Sequence, residues 1–82
     1  MKIQIRYFAS IREALGPGET VHTEAPTLAA LRDELISRGG PHALALARGK
    51  AVRMALDQVM AEEAATLHEG AEVAFFPPVT GG

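Results

Sequence analysis

Both ends of this 82-residue chain alternate polar and apolar side chains with a period of two. Residues 2–8 carry Ile3, Ile5 and Tyr7 on one face, and residues 71–76 repeat the pattern. A period of two is typical of a strand that lies on a core with one face. A right-handed crossover between them would let these two strands pair in parallel. We therefore expect the first and last strands to lie side by side at the centre of one sheet.

One amphipathic helix is expected between the terminal strands. Thr27 is suited to cap its start, and the motif at residues 39–41 (Gly-Gly-Pro) predicts its end, with Gly39 as the C-cap. Its apolar side chains recur at helical spacing: Leu28, Leu31, Leu35 and Ile36. The apolar stripe is one-sided, so the helix should pack across a sheet.

Shorter segments complete the predicted order. Ser10 is expected to cap a short helix over residues 11–15, and residues 42–50 fit a helix or an extended chain equally well. Leu67 is expected to reach the core from an irregular connection. Further strands are predicted at residues 19–24, 52–56 and 59–60, the last two joined by a turn at residues 57–58.

The predicted order is strand, strand, helix, strand, strand, strand. It indicates an α+β domain of the ubiquitin-like β-grasp type, with one main helix across a mixed sheet of four to five strands. A chain of 82 residues is expected to form a single domain. We expect a globular part over residues 1–76 and a protruding C-terminal tail, residues 77–82.

Composition excludes several classes of function. With 8 Lys+Arg against 10 Asp+Glu, the chain lacks the basic face that nucleic-acid binding needs. It has no Cys, which excludes disulfides, zinc–thiolate sites, iron–sulfur clusters and a thiol nucleophile. The three histidines have no metal-ligand spacing, so no metal site is predicted. No apolar run is long enough for a membrane span, and we expect a cytoplasmic protein.

The C-terminal tail has the most specific composition. Two prolines favour a stiff, extended stalk, and six residues reach roughly 20 Å. The final glycines carry no side chain, so the last carbonyl group is open to attack. No Lys or Arg follows Arg53, which predicts an acidic C-terminal region and a basic partner surface. Its sequence is Pro77-Pro78-Val79-Thr80-Gly81-Gly82.

An apolar docking patch is expected near the root of the tail. Successive strand residues point to opposite faces, so Phe8 and Phe76 should leave the core when Tyr7 and Phe75 enter it. Met60 is a third candidate, because it lies outside any strong core register. Exposed aromatic side chains of this kind are typical of a partner surface.

The sequence resembles the small, sulfur-carrying subunit of molybdopterin synthase, the MoaD family. Residues 70–82 (Gly-Ala-Glu-Val-Ala-Phe-Phe-Pro-Pro-Val-Thr-Gly-Gly) carry the specific resemblance, and Tyr7-Phe8-Ala9 begins a similar N-terminal segment. The chain departs from the family at Ala71, where an acidic residue is usual, and at Asp57, where Asn is common. Both departures are confined to turns. Weaker resemblance is found at Ile11-Arg12-Glu13, Gly16, Thr27-Leu28, Leu31, Ala43–Leu46 and Gly49-Lys50.

This resemblance implies a chemistry located at the last residue. A ubiquitin-activating-type adenylyltransferase would use ATP to adenylate the Gly82 carboxylate, and a protein persulfide would convert it to a thiocarboxylate. The large synthase subunit would then receive the tail, in a heterotetramer, and pass the sulfur to a cyclic pyranopterin. Gly81 would give clearance, the four residues 77–80 would bind the partner as part of the tail, and Phe8, Met60 and Phe76 would form the apolar docking patch. The chain itself would bind no cofactor and would not be catalytic alone.

Three alternatives remain open on the sequence. A sulfur carrier for thiamine thiazole synthesis shares the fold and the Gly-Gly end, but is typically shorter and lacks the Phe-Phe-Pro-Pro-Val run. A ubiquitin-like modifier would be joined to lysines through Gly82. A plain interaction module would leave the terminus chemically unchanged.

Overall fold

Three helices and five strands make up the fold in a computed structural model, which describes residues 1–78. The short helix predicted between the first two strands is present, and the structure adds another short helix after the main one. The elements are β1 (Lys2–Tyr7), α1 (Ala9–Leu15), β2 (Gly18–His22), α2 (Leu28–Ile36), α3 (Gly40–Ala45), β3 (Arg53–Leu56), β4 (Val59–Ala61) and β5 (Glu72–Phe76).

The sheet has the strand order β2-β1-β5-β3-β4. Strands β1 and β5 pair in parallel, with Ile5 opposite Val73 and Tyr7 opposite Phe75. The other neighbours are antiparallel. The predicted parallel pairing of the two terminal strands at the sheet centre is therefore confirmed, and so is the β-grasp arrangement.

The core lies between the helices and one face of the sheet. Tyr7 and Phe75, from β1 and β5, are fully buried there, and α1 contributes Ile11. Leu67 is buried as predicted. The predicted stripe of α2 also lies in the core, with Leu28, Leu31 and Leu35 buried and Ile36 packed against their cluster.

The start of α2 agrees with the prediction, but its end does not. The Thr27 side chain accepts a hydrogen bond of 3.2 Å from the backbone N–H of Ala30. The helix stops at Ile36 with Ser37 as the C-cap, and Gly39 is instead the N-cap of α3, with a φ of 75°. Because glycine accepts this left-handed conformation without strain, the chain can leave α2 and begin a second helix within three residues. The ambiguous segment after residue 42 is thus partly helical.

The start of α1 differs from the prediction, whereas the turn between β3 and β4 agrees with it. Ser10 does not cap α1, because the helix begins two residues earlier than predicted, at Ala9, with the extended Phe8 as N-cap and no side-chain cap hydrogen bond. The predicted turn between β3 and β4 is present. Asp57 and Gln58 both have positive φ, 51° and 68°, as a two-residue hairpin turn of the primed type requires.

Candidate functional site

The sheet face opposite the helices bears the predicted docking patch. Strand registers align Arg6, Ala74, Ala55 and Met60 in one row across β1, β5, β3 and β4. Two residues beyond Ala74, at the end of β5, Phe76 lies opposite Arg53. The backbone N–H of Phe8 donates to the Phe75 carbonyl at 3.1 Å, which continues the β1–β5 pairing past the end of β1.

The three predicted patch residues differ in exposure. Phe8 is 43% exposed and Met60 is 57% exposed. Phe76 is half-buried, whereas its neighbour Phe75 is fully buried in the core. The strand phases therefore predicted the side of Phe8 and Phe76 correctly, and Met60, proposed because it lies outside any strong core register, is exposed as well. We name Phe8, Met60 and Phe76 the apolar patch.

Two alanines form the floor between the members of the apolar patch. Ala55 is buried but does not belong to the main core cluster, and Ala74 is half-buried beside it. Their small side chains leave a shallow surface between Phe76 and Met60. Neighbouring strands lie about 4.8 Å apart, so the patch extends roughly 14 Å from β1 to β4.

The tail begins at the edge of this patch. Phe76 is the last residue of β5, and Pro77 and Pro78 follow it half-buried and outside regular structure. The chain thus leaves the domain from the central strand. The predicted site residues Val79, Thr80, Gly81 and Gly82 lie outside the described residues, and their roles stay predictions.

A polar network beneath the patch fixes β1 and β2 to the helical layer. Glu19 accepts hydrogen bonds from the Tyr7 hydroxyl at 2.8 Å and from Arg38 at 2.6 Å, and His42 Nε2 lies 3.1 Å from it. Burial alone would raise the pKa of Glu19, but the hydrogen bonds from Arg38, His42 and Tyr7 outweigh burial and lower it to about 2. Burial and the Glu19 carboxylate raise the pKa of Tyr7 above its ordinary value. The network keeps the end of β1, and so Phe8, in place.

A buried arginine holds the loop that leads into β3. Arg32 donates to the carbonyls of Leu46 and Ala47 at 2.8 Å and to that of Lys50 at 3.2 Å. Its guanidinium also forms an ion pair of 3.4 Å with Glu63. Burial lowers the pKa of Arg32, with the nearby charge of Arg48 a further cause. Sequence reasoning missed this clamp, since a lone Arg on a helix gives no periodic signal.

Three basic residues close together in the sequence, Arg48, Lys50 and Arg53, differ in their surroundings in the structure. Arg48 forms ion pairs with Asp33 and Glu63, so it serves to hold its loop. Lys50 and Arg53 are exposed and form no ion pair with residues 1–78. Two further exposed apolar residues were also missed: Leu44 at 71% and Val59 at 67%. Leu44 and Pro77 both line an open groove of about 480 Å³ between α1 and α3.

Among residues 1–78, no three His, Asp or Glu side chains are grouped as a metal ion would require. None of the helices in this part of the chain has the length and apolar character to cross a membrane.

The fold and the site together define a class of protein. The chain is a β-grasp domain that exposes an apolar patch where its C-terminal tail leaves the central strand. Residues 5–82 match the ThiS family. The chain is also 42% identical to the molybdopterin synthase sulfur carrier subunit of Escherichia coli (strain K12), over 98% of this chain and 99% of that protein. It therefore belongs to the ThiS family and, within it, to the molybdopterin synthase sulfur carrier subunits.

Solved structures share the whole fold. SAMP1 from Haloferax volcanii superposes with a TM-score of 0.77 at 22% identity, covering 100% of both chains. A chain from the complex of subunits 1 and 2 of the molybdopterin-converting factor of Helicobacter pylori 26695 gives a TM-score of 0.70 at 24% identity, again covering 100% of both. At these identities the likeness shows the fold. The resemblance to the MoaD family that the sequence suggested is confirmed by the family match and the Escherichia coli relative.

Proposed function

We propose that this chain is the sulfur carrier of a molybdopterin synthase and that Gly82 bears the transferred sulfur. The observation that carries the proposal is the position of the tail root: β5 ends at Phe76, within the apolar patch, and Pro77 follows directly. A partner that binds the patch therefore also receives the chain end. The family membership and the Gly-Gly terminus support the same function.

The proposed chemistry belongs to partner proteins. A carboxylate is a poor electrophile until one oxygen becomes a leaving group, so activation must come first. An adenylyltransferase of the ubiquitin-activating type would join the Gly82 carboxylate to AMP, with release of pyrophosphate from ATP. A protein persulfide would displace AMP, and a thiol would cleave the new S–S bond to leave the thiocarboxylate.

The sulfur would then be used inside the large synthase subunit. The tail, residues 77–82, would enter a channel of that subunit and deliver its sulfur to a cyclic pyranopterin precursor. A glycine at position 81 would pass a narrow channel, because it has no side chain. The complex of subunits 1 and 2 from Helicobacter pylori supports a large-subunit partner for this chain.

In this proposal the chain is not catalytic by itself and works in the cytoplasm. Its contribution is geometric. The rigid sheet holds Phe8 and Phe76 beside the exit of the tail, and the Glu19 network and the Arg32 clamp stabilise that arrangement. Docking through a preformed surface costs less ordering entropy than docking through a mobile one.

Intact-protein mass spectrometry tests the proposal directly. The chain is incubated with the adenylyltransferase, ATP and a persulfide donor, and we expect the mass change for one oxygen replaced by sulfur. Digestion should place the change in the C-terminal peptide. The matched control replaces Gly82 with Pro, whose ring crowds the terminal carbonyl. An unchanged wild-type mass would refute the carrier function, and isopeptide-linked bands in its place would favour the modifier alternative.

A further inference from the structure

Two arginines stand on the open face beside the apolar patch, where the proposed function places only apolar contacts. Arg6 on β1 lies opposite Ala74 of β5, and Arg53 on β3 lies opposite Phe76. Arg53 shares a face of β3 with Ala55, which is two residues away, and Ala55 also lies opposite Ala74. The two arginines therefore lie on the same face of the sheet. The strand that separates the two arginines is the one that continues into the tail.

Arg6 and Arg53 are exposed, and no carboxylate of the described residues forms an ion pair with either of them. Among residues 1–78, neither guanidinium forms an ion pair or a side-chain hydrogen bond. Glu72 shares a groove with Arg6, and Glu62 shares another with Arg53, but neither carboxylate lies within 4.0 Å of the arginine. Three other arginines are paired with carboxylates, Arg32, Arg38 and Arg48, whereas Arg12 on α1 also forms no ion pair with residues 1–78.

The spacing of the pair suits a partner surface better than a single small ligand. Across two strand spacings and two residues along the strand, their Cα atoms are roughly 12 Å apart. Ala74 lies in the row between them and is too small to obstruct either side chain. A guanidinium at each of these positions could bind a separate carboxylate in the bidentate geometry that arginine favours.

Charges of both signs lie along the sheet: Lys2 is at the end away from the tail, and Glu62 lies near Arg53 at the tail end. Glu72 begins β5 and Asp57 follows β3, so both acids lie at the end of the sheet away from the tail. Arg53, opposite Phe76, lies at the tail end, and Lys50 lines the groove that also contains Pro77. The surface at the root of the tail therefore carries the cations Arg53 and Lys50, although the C-terminal sequence is acidic.

We propose that Arg6 and Arg53 form a cationic rim beside the apolar patch, and that this rim docks onto acidic side chains of the large synthase subunit around its tail channel. This inference rests on the proposed function, since it names chemistry of the same docking surface. It reverses the basic partner surface that the sequence composition predicts. The large subunit is the chosen partner because the full-length structural neighbour from Helicobacter pylori is seen in a complex of subunits 1 and 2.

Stopped-flow association with the large subunit tests the rim. The double variant Arg6→Gln/Arg53→Gln should associate about five-fold more slowly at low ionic strength and less than about two-fold more slowly at high salt. Its dissociation rate should change little, because rim charges act mainly on encounter. Charge reversal, Arg6→Glu/Arg53→Glu, should give the larger effect. Both side chains are exposed, so circular dichroism and urea unfolding should match the wild type.

Lys2→Gln is the matched control. Lys2 lies on the same face of β1 and is exposed, but it is at the opposite end of the strand, roughly 13 Å from Arg6. It should leave the association rate unchanged. An equal slowing by Lys2→Gln would show a bulk charge effect and overturn the rim, as would a double variant that associates like the wild type.

Two further outcomes separate this inference from the proposed function. If the arginine variants slow association with the adenylyltransferase and not with the large subunit, the rim belongs to another partner. The inference then fails while the carrier function stands. If the wild-type chain does not bind the large subunit and forms no thiocarboxylate, both fail. Normal thiocarboxylate formation with charge-independent docking overturns the rim alone.

Discussion

Tyr7 and Phe75 stack on each other in the core, with ring centroids 6.2 Å apart and an interplanar angle of 24°. They lie opposite each other on β1 and β5, so this aromatic pair joins the two ends of the chain. Both rings are fully buried. The next residue of each strand, Phe8 or Phe76, points to the other face and belongs to the apolar patch. Adjacent residues of each strand therefore contribute one ring to the core and one to the apolar patch.

The adjacent phenylalanines should respond differently to truncation. Phe75→Ala removes a fully buried ring and should lower the free energy of unfolding by about 3–5 kcal/mol. Phe76→Ala should cost less than about 1 kcal/mol, because its ring is only half-buried. Urea unfolding followed by circular dichroism measures both values. Similar losses in the two variants would contradict the separation of the faces.

Phe76→Asp should weaken docking without unfolding the domain. A charge placed in the apolar patch must be desolvated on binding, and we expect at least a ten-fold rise in Kd for the large subunit. The control is Val59→Asp, which alters another exposed apolar residue, at the far end of β4 from the tail. Calorimetric titration gives both affinities. Unchanged affinity in Phe76→Asp would remove the apolar patch from the interface.

The Glu19 network should make stability depend on pH in the acid range. The folded pKa of Glu19 is lowered to about 2 from 4.5, so its stabilisation is complete above 4.5 and is lost as pH falls toward 2. Glu19→Gln should cost about 1–2 kcal/mol at neutral pH and make the acid dependence shallower. Unfolding curves at pH 7 and pH 3 measure this effect.

Glu13→Gln is the matched control for that series, since Glu13 is exposed on α1 and forms no ion pair with the described residues. It should leave both the stability and its pH dependence near the wild-type values. If both variants flatten the curve equally, the acid dependence comes from net charge and not from the Glu19 network.

A second titrating pair joins the β3–β4 turn to the segment before β5. His68 Nε2 lies 2.6 Å from Asp57, and this hydrogen bond and that to the Glu69 carbonyl raise the pKa of His68 above 6.5. The protonated form is thus favoured on folding, so its contribution is present below 6.5 and lost as pH rises through the raised value. Asp57→Asn keeps a residue that tolerates positive φ. It should return the pKa toward 6.5 in an NMR titration, and an unchanged midpoint would contradict the pairing.

Deletion of Gly82 should abolish thiocarboxylate formation while leaving the domain folded. The described fold ends at the tail root, and every core residue lies at or before Phe75. We therefore expect an unchanged urea midpoint and no sulfur incorporation by mass spectrometry. Sulfur at the new terminus, Gly81, or normal molybdopterin formation by the shortened chain would show that the last residue is dispensable.

Sequence periodicity predicted the parts of the site that depend on strand phase. The phase of β1 and β5 separates Tyr7 and Phe75 from Phe8 and Phe76, because side chains alternate by geometry along any strand. The Thr27 cap was also predictable, since it needs only a hydroxyl within reach of a backbone N–H three residues on. The end of α2 was not, because Gly39 suits either a C-cap or the start of α3.

The chain's own sequence determined the fold class, the faces of its terminal strands and the composition of its last six residues, since these follow from local periodicity and covalent order. Only the tertiary structure decided that Glu19 joins Tyr7 to Arg38 and His42, that Arg32 clamps a loop, and that Arg6 and Arg53 flank the strand leading into the tail. These contacts join residues far apart in sequence. Their energy depends on distance and desolvation in the folded state, which leave no periodic signal along the chain.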